Sequence, residues 1–381
     1  MGRITGEGWR QEMSSQDDEN LTAERLSPVG LFDSGIGGLT VLKEVLRETP
    51  SEDLVYFGDT AQVPYGTKSK ETITRFSIDN TLFLRTFNVK MVVVACNTAT
   101  SLALDTLRQK FPMPIVGVIE PGARAALRCT KNGRIGVIGT KATIGTGAYE
   151  ACLKRFDPSV KVYSGSCPLF VPFVEEGWLE GDVVTQVAKS YLEDLRSFKI
   201  DTLILGCTHY PLLSKVIQKA VGEDVCLVNS AEETAKEAKA ILLRLGLNAP
   251  TRQNGGSVRF YVSDEPEQFR ERGERFLGCS IRSIAKVADR FKLPEFDRRH
   301  TEGKSGSSAA PHFEWPGIDR RQTNGKAVSM VVDHLESTEF GRWQSRPLPE
   351  SGDCLEPTVV GGNGGPASKP GSQLSVPLPA A

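Results

Sequence analysis

Several functional classes are set aside by what the chain does not contain. Its 381 residues hold no uninterrupted run of about eighteen apolar residues, so no membrane-spanning helix is predicted. There is no excess of positive charge. Lys and Arg number 46 against 47 Asp and Glu, and the formal net charge of −1 at pH 7 gives no electrostatic footprint for nucleic acid. The opening MGRITGEGWRQEMSSQDDEN has no apolar segment of the kind that directs secretion. Eight cysteines without such a segment fit a reducing, cytoplasmic setting in which they stay thiols. No C-x-x-C pair is present, which argues against a zinc ribbon or a thioredoxin-like redox site. Neither a P-loop lysine pattern nor a full G-x-G-x-x-G follows the first glycine cluster, and no lysine stands in a context suited to a pyridoxal Schiff base. No metal and no cofactor is therefore expected. Histidine is scarce too: of four, only His209 precedes residue 300.

What is present is a matched pair of stretches, MVVVACNTATS at 91–101 and TLILGCTHYPLL at 202–213. Each runs from a short apolar segment through a small residue to a cysteine, Cys96 or Cys207, and then to small polar residues able to open a helix. A continuous apolar run of this length reads as a buried parallel strand. Both thiols then stand at carboxyl ends of strands, where open α/β sheets bind their ligands. Two halves facing one ligand follow from that repetition.

In chain order, residues 1–27 read as a polar, disordered N-terminal arm. A strand at 28–33 ends on Asp33 and leads into Ser34 and a glycine-rich turn, then a helix from 39; such a turn offers an anion-binding nest of backbone N–H groups. Asp33 could act as a base or orient one. A second strand at 53–59 runs into a Pro-Tyr-Gly loop whose Tyr65 ring and Gly66 N–H could meet a ligand, although a plain turn explains it as well. A helix follows at 70–87. The strand at 114–119 is followed by a Glu-Pro-Gly turn at 120–122 and the first crossing into a second lobe, which opens with a strand at 134–138 and the turn Gly139-Thr140-Lys141-Ala142-Thr143. A possible short strand at 161–164 precedes an irregular apolar loop at 167–177 that ends on two acids. A helix at 179–195, the second cysteine stretch, a strand at 225–229 with the helix 230–245, and a final strand and helix at 258–262 and 267–276 complete the folded part. From 301 to 381 the composition turns to low-complexity Gly, Ser and Pro, and disorder is expected, with 328–335 the one stretch that could form an element.

Cys129, Cys152, Cys226, Cys279 and Cys354 carry no distinguishing context and read as small core side chains. Cys96 and Cys207 differ. A helix N-terminus lowers a thiol pKa from about 8.5 toward neutrality, which suits a group that gives and takes protons. One thiolate and one thiol on opposite faces of a carbon would remove a proton on one side and return it on the other, inverting a stereocentre. His209, two positions after Cys207, could take the thiol proton, and Asp33 could serve Cys96 in the same way. Without a cofactor the carbanion would rely on hydrogen-bond donors, for which Ser34, Asn97, Thr98 and Thr208 are at hand. Two core cysteines that happen to fall at strand ends remain the competing reading.

Five segments, FDSGIGGLTVL at 32–42, YFGDTAQVPYG at 56–66, VVACNTATS at 93–101, CPLFVPFVEEG at 167–177 and LGCTHYPLL at 205–213, closely resemble glutamate racemases, in order and from about residue 28 to about 279. The resemblance implies a cofactor-independent interconversion of L- and D-glutamate that supplies D-glutamate for peptidoglycan. It gives Cys96 the D face and Cys207 the L face, with Asp33 and His209 assisting and Asp59 and Glu175 in support. Substrate contacts would fall on Asp33, Ser34, Tyr65, Gly66, Asn97, Thr98, Thr208 and His209. The fold implied is two similar α/β lobes with mostly parallel sheets, 28–119 plus 230–286 and 120–229, with the active site in the cleft between them, commonly in a homodimer. Two alternatives stay open: a racemase of the same superfamily acting on aspartate, and a binding protein, since some glutamate racemases are associated with DNA gyrase. Redox signalling through a Cys96–Cys207 disulfide conflicts with a two-base site, because bonded sulfurs stand about 2 Å apart.

Overall fold

The computed structural model describes residues 22–287. Strand β1 (Val29–Asp33) leads through the glycine-rich turn into α1 (Leu39–Glu48); β2 (Leu54–Gly58) leads to α2 (Lys70–Arg85), β3 (Met91–Val94) to α3 (Asn97–Lys110), and β4 (Ile115–Gly117) to α4 (Ile119–Cys129). A second set follows: β5 (Arg134–Gly139), α5 (Lys141–Gly145), α6 (Ala148–Phe156), β6 (Lys161–Ser166), α7 (Phe170–Glu175), α8 (Asp182–Ser197), β7 (Thr202–Gly206), α9 (Ser214–Val221) and β8 (Cys226–Asn229). The chain then returns through α10 (Ser230–Arg244) to β9 (Val258–Val262), α11 (Pro266–Leu277) and β10 (Ile284–Lys286). Two sheets result, of six strands in the order β10-β9-β2-β1-β3-β4 and of four in the order β6-β5-β7-β8. Every strand pair in both is parallel. The α/β class read from the sequence is the class observed.

The central strands carry the core for the reason their composition suggests. β1, β2, β3 and β7 are buried along their whole length, so a continuous run of Val, Leu, Ile and Phe satisfies both faces, each covered by helices. In each sheet the strand order reverses beside a first strand. β1 lies between β2 and β3, and β5 between β6 and β7. Such a switch point opens a crevice at the carboxyl ends of the strands. Asp33 ends β1, and Cys96 follows the adjacent β3. Gly139 ends β5, and Cys207 follows the adjacent β7.

Four local expectations are corrected. Glu120-Pro121-Gly122 is not a turn: α4 starts at Ile119, and Pro121 sits in its first turn, where a missing N–H costs no helical hydrogen bond. The apolar stretch at 167–177 is not irregular throughout, since α7 occupies Phe170–Glu175, again with a proline, Pro172, in the first turn. Of the arm, residues 22–26 are helical, with Arg25 Nε donating to Asn248 O at 3.0 Å; residues 1–21 lie outside the described residues. Cys129 and Cys226 are not separate core thiols but a disulfide joining the end of α4 to the start of β8. The strand β10 went unanticipated. The low-complexity segment 301–381, with 328–335, also lies outside the described residues. Among those described, no helix is long and apolar enough to cross a membrane.

Candidate active site

The Cys96 side is built by the ends of β1 and β3. Ala95 N donates to Phe32 O at 2.9 Å, which carries the strand pairing one residue past β3. Cys96 then caps α3 in an extended conformation, its Sγ accepting from Ala99 N at 3.5 Å. Asp33 stands on the neighbouring strand end. Its Oδ2 accepts from Gly35 N (3.1 Å) and Gly38 N (2.9 Å), and its Oδ1 from Ser34 Oγ at 3.5 Å. The nest of the glycine-rich turn is thus occupied by the chain's own carboxylate, which corrects the expectation that it waits for a ligand's. Burial pushes the Cys96 thiol pKa well above its ordinary value, and the charge of Asp33 adds to the rise; the Ala99 N–H and Ser34 pull weakly the other way. The expected lowering by the helix N-terminus is overturned. Desolvation outweighs the helix-end N–H, and Cys96 is a neutral thiol.

The Cys207 side is different. His209 Nδ1 lies 3.8 Å from Cys207 Sγ, while its Nε2 lies 3.1 Å from Glu175 Oε1. Glu175 Oε2 faces Arg272 at 3.6 Å, and the Phe276 ring packs on the imidazole edge-on. Burial works against a charged His209, but Cys207 and Glu175 outweigh it and raise the pKa to about 10. Burial likewise raises Glu175, and the imidazole and Arg272 reverse that to a net lowering. Two similar crevices therefore carry unlike partners: a carboxylate beside one thiol, an imidazolium beside the other. The thiols are near enough for Cys207 to raise Cys96 electrostatically.

Between the two sides stand the expected donors. Asn97, Thr98 and Thr208 are buried. Asn97 Oδ1 accepts from Tyr149 OH at 2.7 Å, whereas its Nδ2 has no partner among the described residues. Thr98 Oγ1 lies 3.1 Å from the hydroxyls of both Thr140 and Thr143, which are 3.0 Å from each other, a ring of hydroxyls joining α3 to the start of α5. Thr208 O accepts from Thr40 Oγ1 at 3.0 Å. Gly66 approaches Thr140 so closely that a Cβ there would stand 3.1 Å from the Thr140 Cβ.

Two further expected site residues are bound to each other. Tyr65 is 2% exposed, and its hydroxyl donates to Asp59 Oδ2 at 2.6 Å while accepting from Asn80 Nδ2 at 3.1 Å. Asp59, whose other oxygen accepts from Ser263 Oγ at 3.0 Å, is engaged in holding Tyr65 rather than a thiol. Burial raises the Asp59 pKa, against the pull of Tyr65 and Ser263. Conversely Thr140, Thr143, Tyr149, Arg272 and Gly37 belong to the site region without having been singled out. Thr140 and Thr143 follow β5 as Ser34 follows β1, and that parallel between the two strand-end turns is the signal in the sequence that marks them. No local signal marks Tyr149 or Arg272. Among the described residues, no group of three or more His, Cys, Asp and Glu is arranged to hold a metal ion.

Comparison with known proteins gives the same arrangement a family. Residues 34–238 match the model of the Asp/Glu/hydantoin racemases. The chain belongs to this racemase family. A glutamate racemase of Geobacter metallireducens is 52% identical over 260 residues, covering 68% of this chain and 96% of that protein. Among solved racemase structures, the Bacillus anthracis glutamate racemase isoform RacE1 matches with a TM-score of 0.67 at 43% identity, over 70% of this chain and 98% of that one. A Francisella tularensis glutamate racemase in complex with D-glutamate matches with a TM-score of 0.65 at 38% identity, over 69% and 98%. The racemase match begins at Ser34 and ends within α10, so it spans both cysteine stretches.

Proposed function

We propose that the protein interconverts L- and D-glutamate without a cofactor, using Cys96 and Cys207 as the two proton-transfer groups. The observation that carries the reading is the pair of buried thiols, each at the carboxyl end of a central strand, with the Asp33 carboxylate at the strand end next to one and the His209 imidazole beside the other. Starting from L-glutamate, the Cys207 side takes the α-proton, with His209 beside the sulfur and Glu175 behind the imidazole. The neutral Cys96 thiol then returns a proton to the opposite face of the carbanion. The D-to-L direction runs the same steps with the roles exchanged. Asp33 keeps Cys96 protonated until it is needed. The carboxylates of the substrate meet the donors Ser34, Asn97, Thr98 and Thr208 and the Gly66 N–H. The lobes 28–119 plus 230–286 and 120–229 close on the substrate about the two crossings, and closure keeps water from the carbanion. Asp59 and Tyr65 act from behind, as a buried pair that fixes the loop carrying Gly66. The D-glutamate formed serves peptidoglycan synthesis in the cytoplasm, and the working form is a homodimer.

The test is α-proton exchange of L- and D-glutamate in deuterated water, with aspartate as control and no added cofactor. Deuterium appearing in the inverted glutamate supports the reading. Exchange with aspartate alone would keep the chemistry and change the substrate, and no exchange by the folded, reduced protein would end the racemase reading for this chain.

A further inference from the structure

We propose that Tyr149 is a positioning residue for substrate binding, which fixes the polarity of the Asn97 amide so that its NH2 group, not its carbonyl, faces the ligand. The inference deepens the reading above and rests on Asn97 contacting the substrate. Asn97 is 3% exposed, and its Nδ2 is a buried donor with no partner among the described residues. Such a group costs free energy unless a ligand completes it. An amide can turn over to exchange its oxygen and nitrogen, so something must hold it. Tyr149, itself 2% exposed, reaches across from α6 and donates to Asn97 Oδ1 at 2.7 Å. The phenol has one proton to give. Ser230 Oγ lies 3.2 Å from the same Tyr149 oxygen, at the start of α10 where the chain returns from the second sheet to the first. The Ser230 hydroxyl has two acceptors in reach, Tyr149 Oη at 3.2 Å and Leu205 O at 3.4 Å; with its proton on the nearer Tyr149, the hydroxyls run from Ser230 to Tyr149 to Asn97 Oδ1, and the phenol proton is committed to the amide oxygen. Nδ2 is then the only face left for a ligand. A carboxylate accepts and does not donate, so a turned-over Asn97 would set one acceptor against another. Burial pushes the phenol pKa up, which keeps Tyr149 a donor throughout the working pH range.

The experiment measures kcat and KM for glutamate with Tyr149→Phe, Asn97→Ala and the double variant, each checked for unchanged melting behaviour. Tyr149→Phe keeps the ring that fills the core and removes only the hydroxyl. The expected result is a KM raised about tenfold, the loss of one well-placed hydrogen bond, with kcat nearly unchanged. In the Asn97→Ala background, Tyr149→Phe should add nothing, because the residue it acts through is gone. Equal effects of Tyr149→Phe in both backgrounds, or a loss in kcat alone, overturn the inference and leave Tyr149 a packing residue. An Asn97→Ala variant with normal KM instead overturns the substrate contact itself. Should Tyr149→Phe fail to fold, Ser230→Ala carries the test. Without the Ser230 donor the phenol proton is no longer committed, so a KM rise that vanishes in the Asn97→Ala background supports the inference, and an unchanged KM overturns it.

Discussion

Cys96 and Cys207 share a location in their sheets, yet the residues around them differ. Burial and the charge of Asp33 push the Cys96 thiol pKa up, whereas Cys207 lies beside His209, whose own pKa is raised to about 10. Replacing either by alanine should lower turnover by about 10²–10⁴-fold, the usual worth of a placed acid or base. Each variant should still wash out the α-proton of the one enantiomer that faces its remaining thiol. A variant that kept near-normal racemisation would defeat the two-base reading. His209 also ties stability to pH. Its pKa is raised from 6.5 to about 10 in the folded protein, so folding takes up a proton between those values. The stabilisation is fully present below the unfolded pKa of 6.5 and is lost as pH rises through about 10, at up to ~1.4 kcal/mol per pH unit. Thermal melts of the wild type should therefore fall across that window, and those of His209→Asn should fall less. Parallel curves would show that folding does not raise the His209 pKa.

Between elements, the decisive contact is the glycine-rich turn of β1 and α1 against the segment after β7. A Cβ on Gly37 would lie 2.3 Å from Thr208 Oγ1 and 2.4 Å from His209 Cε1. Gly37→Ala should push His209 off Glu175 and cut kcat about a hundredfold, as an ångström-scale misplacement does. A crystal structure of the variant with an intact His209–Glu175 contact and normal kcat would show that the turn simply gives way. This contact also marks where the sequence stops being readable. The strands and the strand-end cysteines were legible because a buried parallel strand must be continuously apolar, and 91–94 and 203–205 are. The proline-led starts of α4 and α7 were not, because proline in a first helical turn leaves the same local signature as proline in a loop. The fate of the glycine nest was hidden for another reason. Gly35 and Gly38 could hold a ligand's carboxylate or their own chain's, and only the position of Asp33 decides between them. Tyr65 and Asp59 flank one loop in the sequence, but their pairing is held by Asn80, 15 residues beyond Tyr65, and by Ser263, 204 beyond Asp59, which no local pattern announces. The Cys129–Cys226 pairing spans 97 residues and no local pattern announces it.

On the scale of the whole molecule, four remote segments meet at one buried charge pair. Lys90, just ahead of β3, and Glu52, just ahead of β2, lie 2.5 Å apart with both side chains almost fully buried. Lys90 Nζ also donates to Arg25 O at 2.6 Å, in the helical turn that opens the described chain. Glu52 Oε1 accepts from Ala249 N at 2.7 Å, in the stretch that follows α10. Burial depresses the Lys90 pKa, and the hydrogen bond and charge of Glu52 hold it up. The pair thus fixes the amino-terminal edges of two central strands to both flanking segments, at the end of the sheet remote from Asp33 and Cys96. Lys90→Met would leave the Glu52 carboxylate buried without its cation, a loss of about 3–5 kcal/mol. Replacing both, as Lys90→Met with Glu52→Gln, should recover part of that, since the uncompensated charge is gone and the amide still accepts from Ala249. Because the pair lies behind the strands, the double variant should keep kcat and KM at temperatures where it is folded. Denaturant melts of the three proteins measure the stabilities, and a single variant as stable as the double one would show that water reaches Glu52 and that the two segments are held by packing alone.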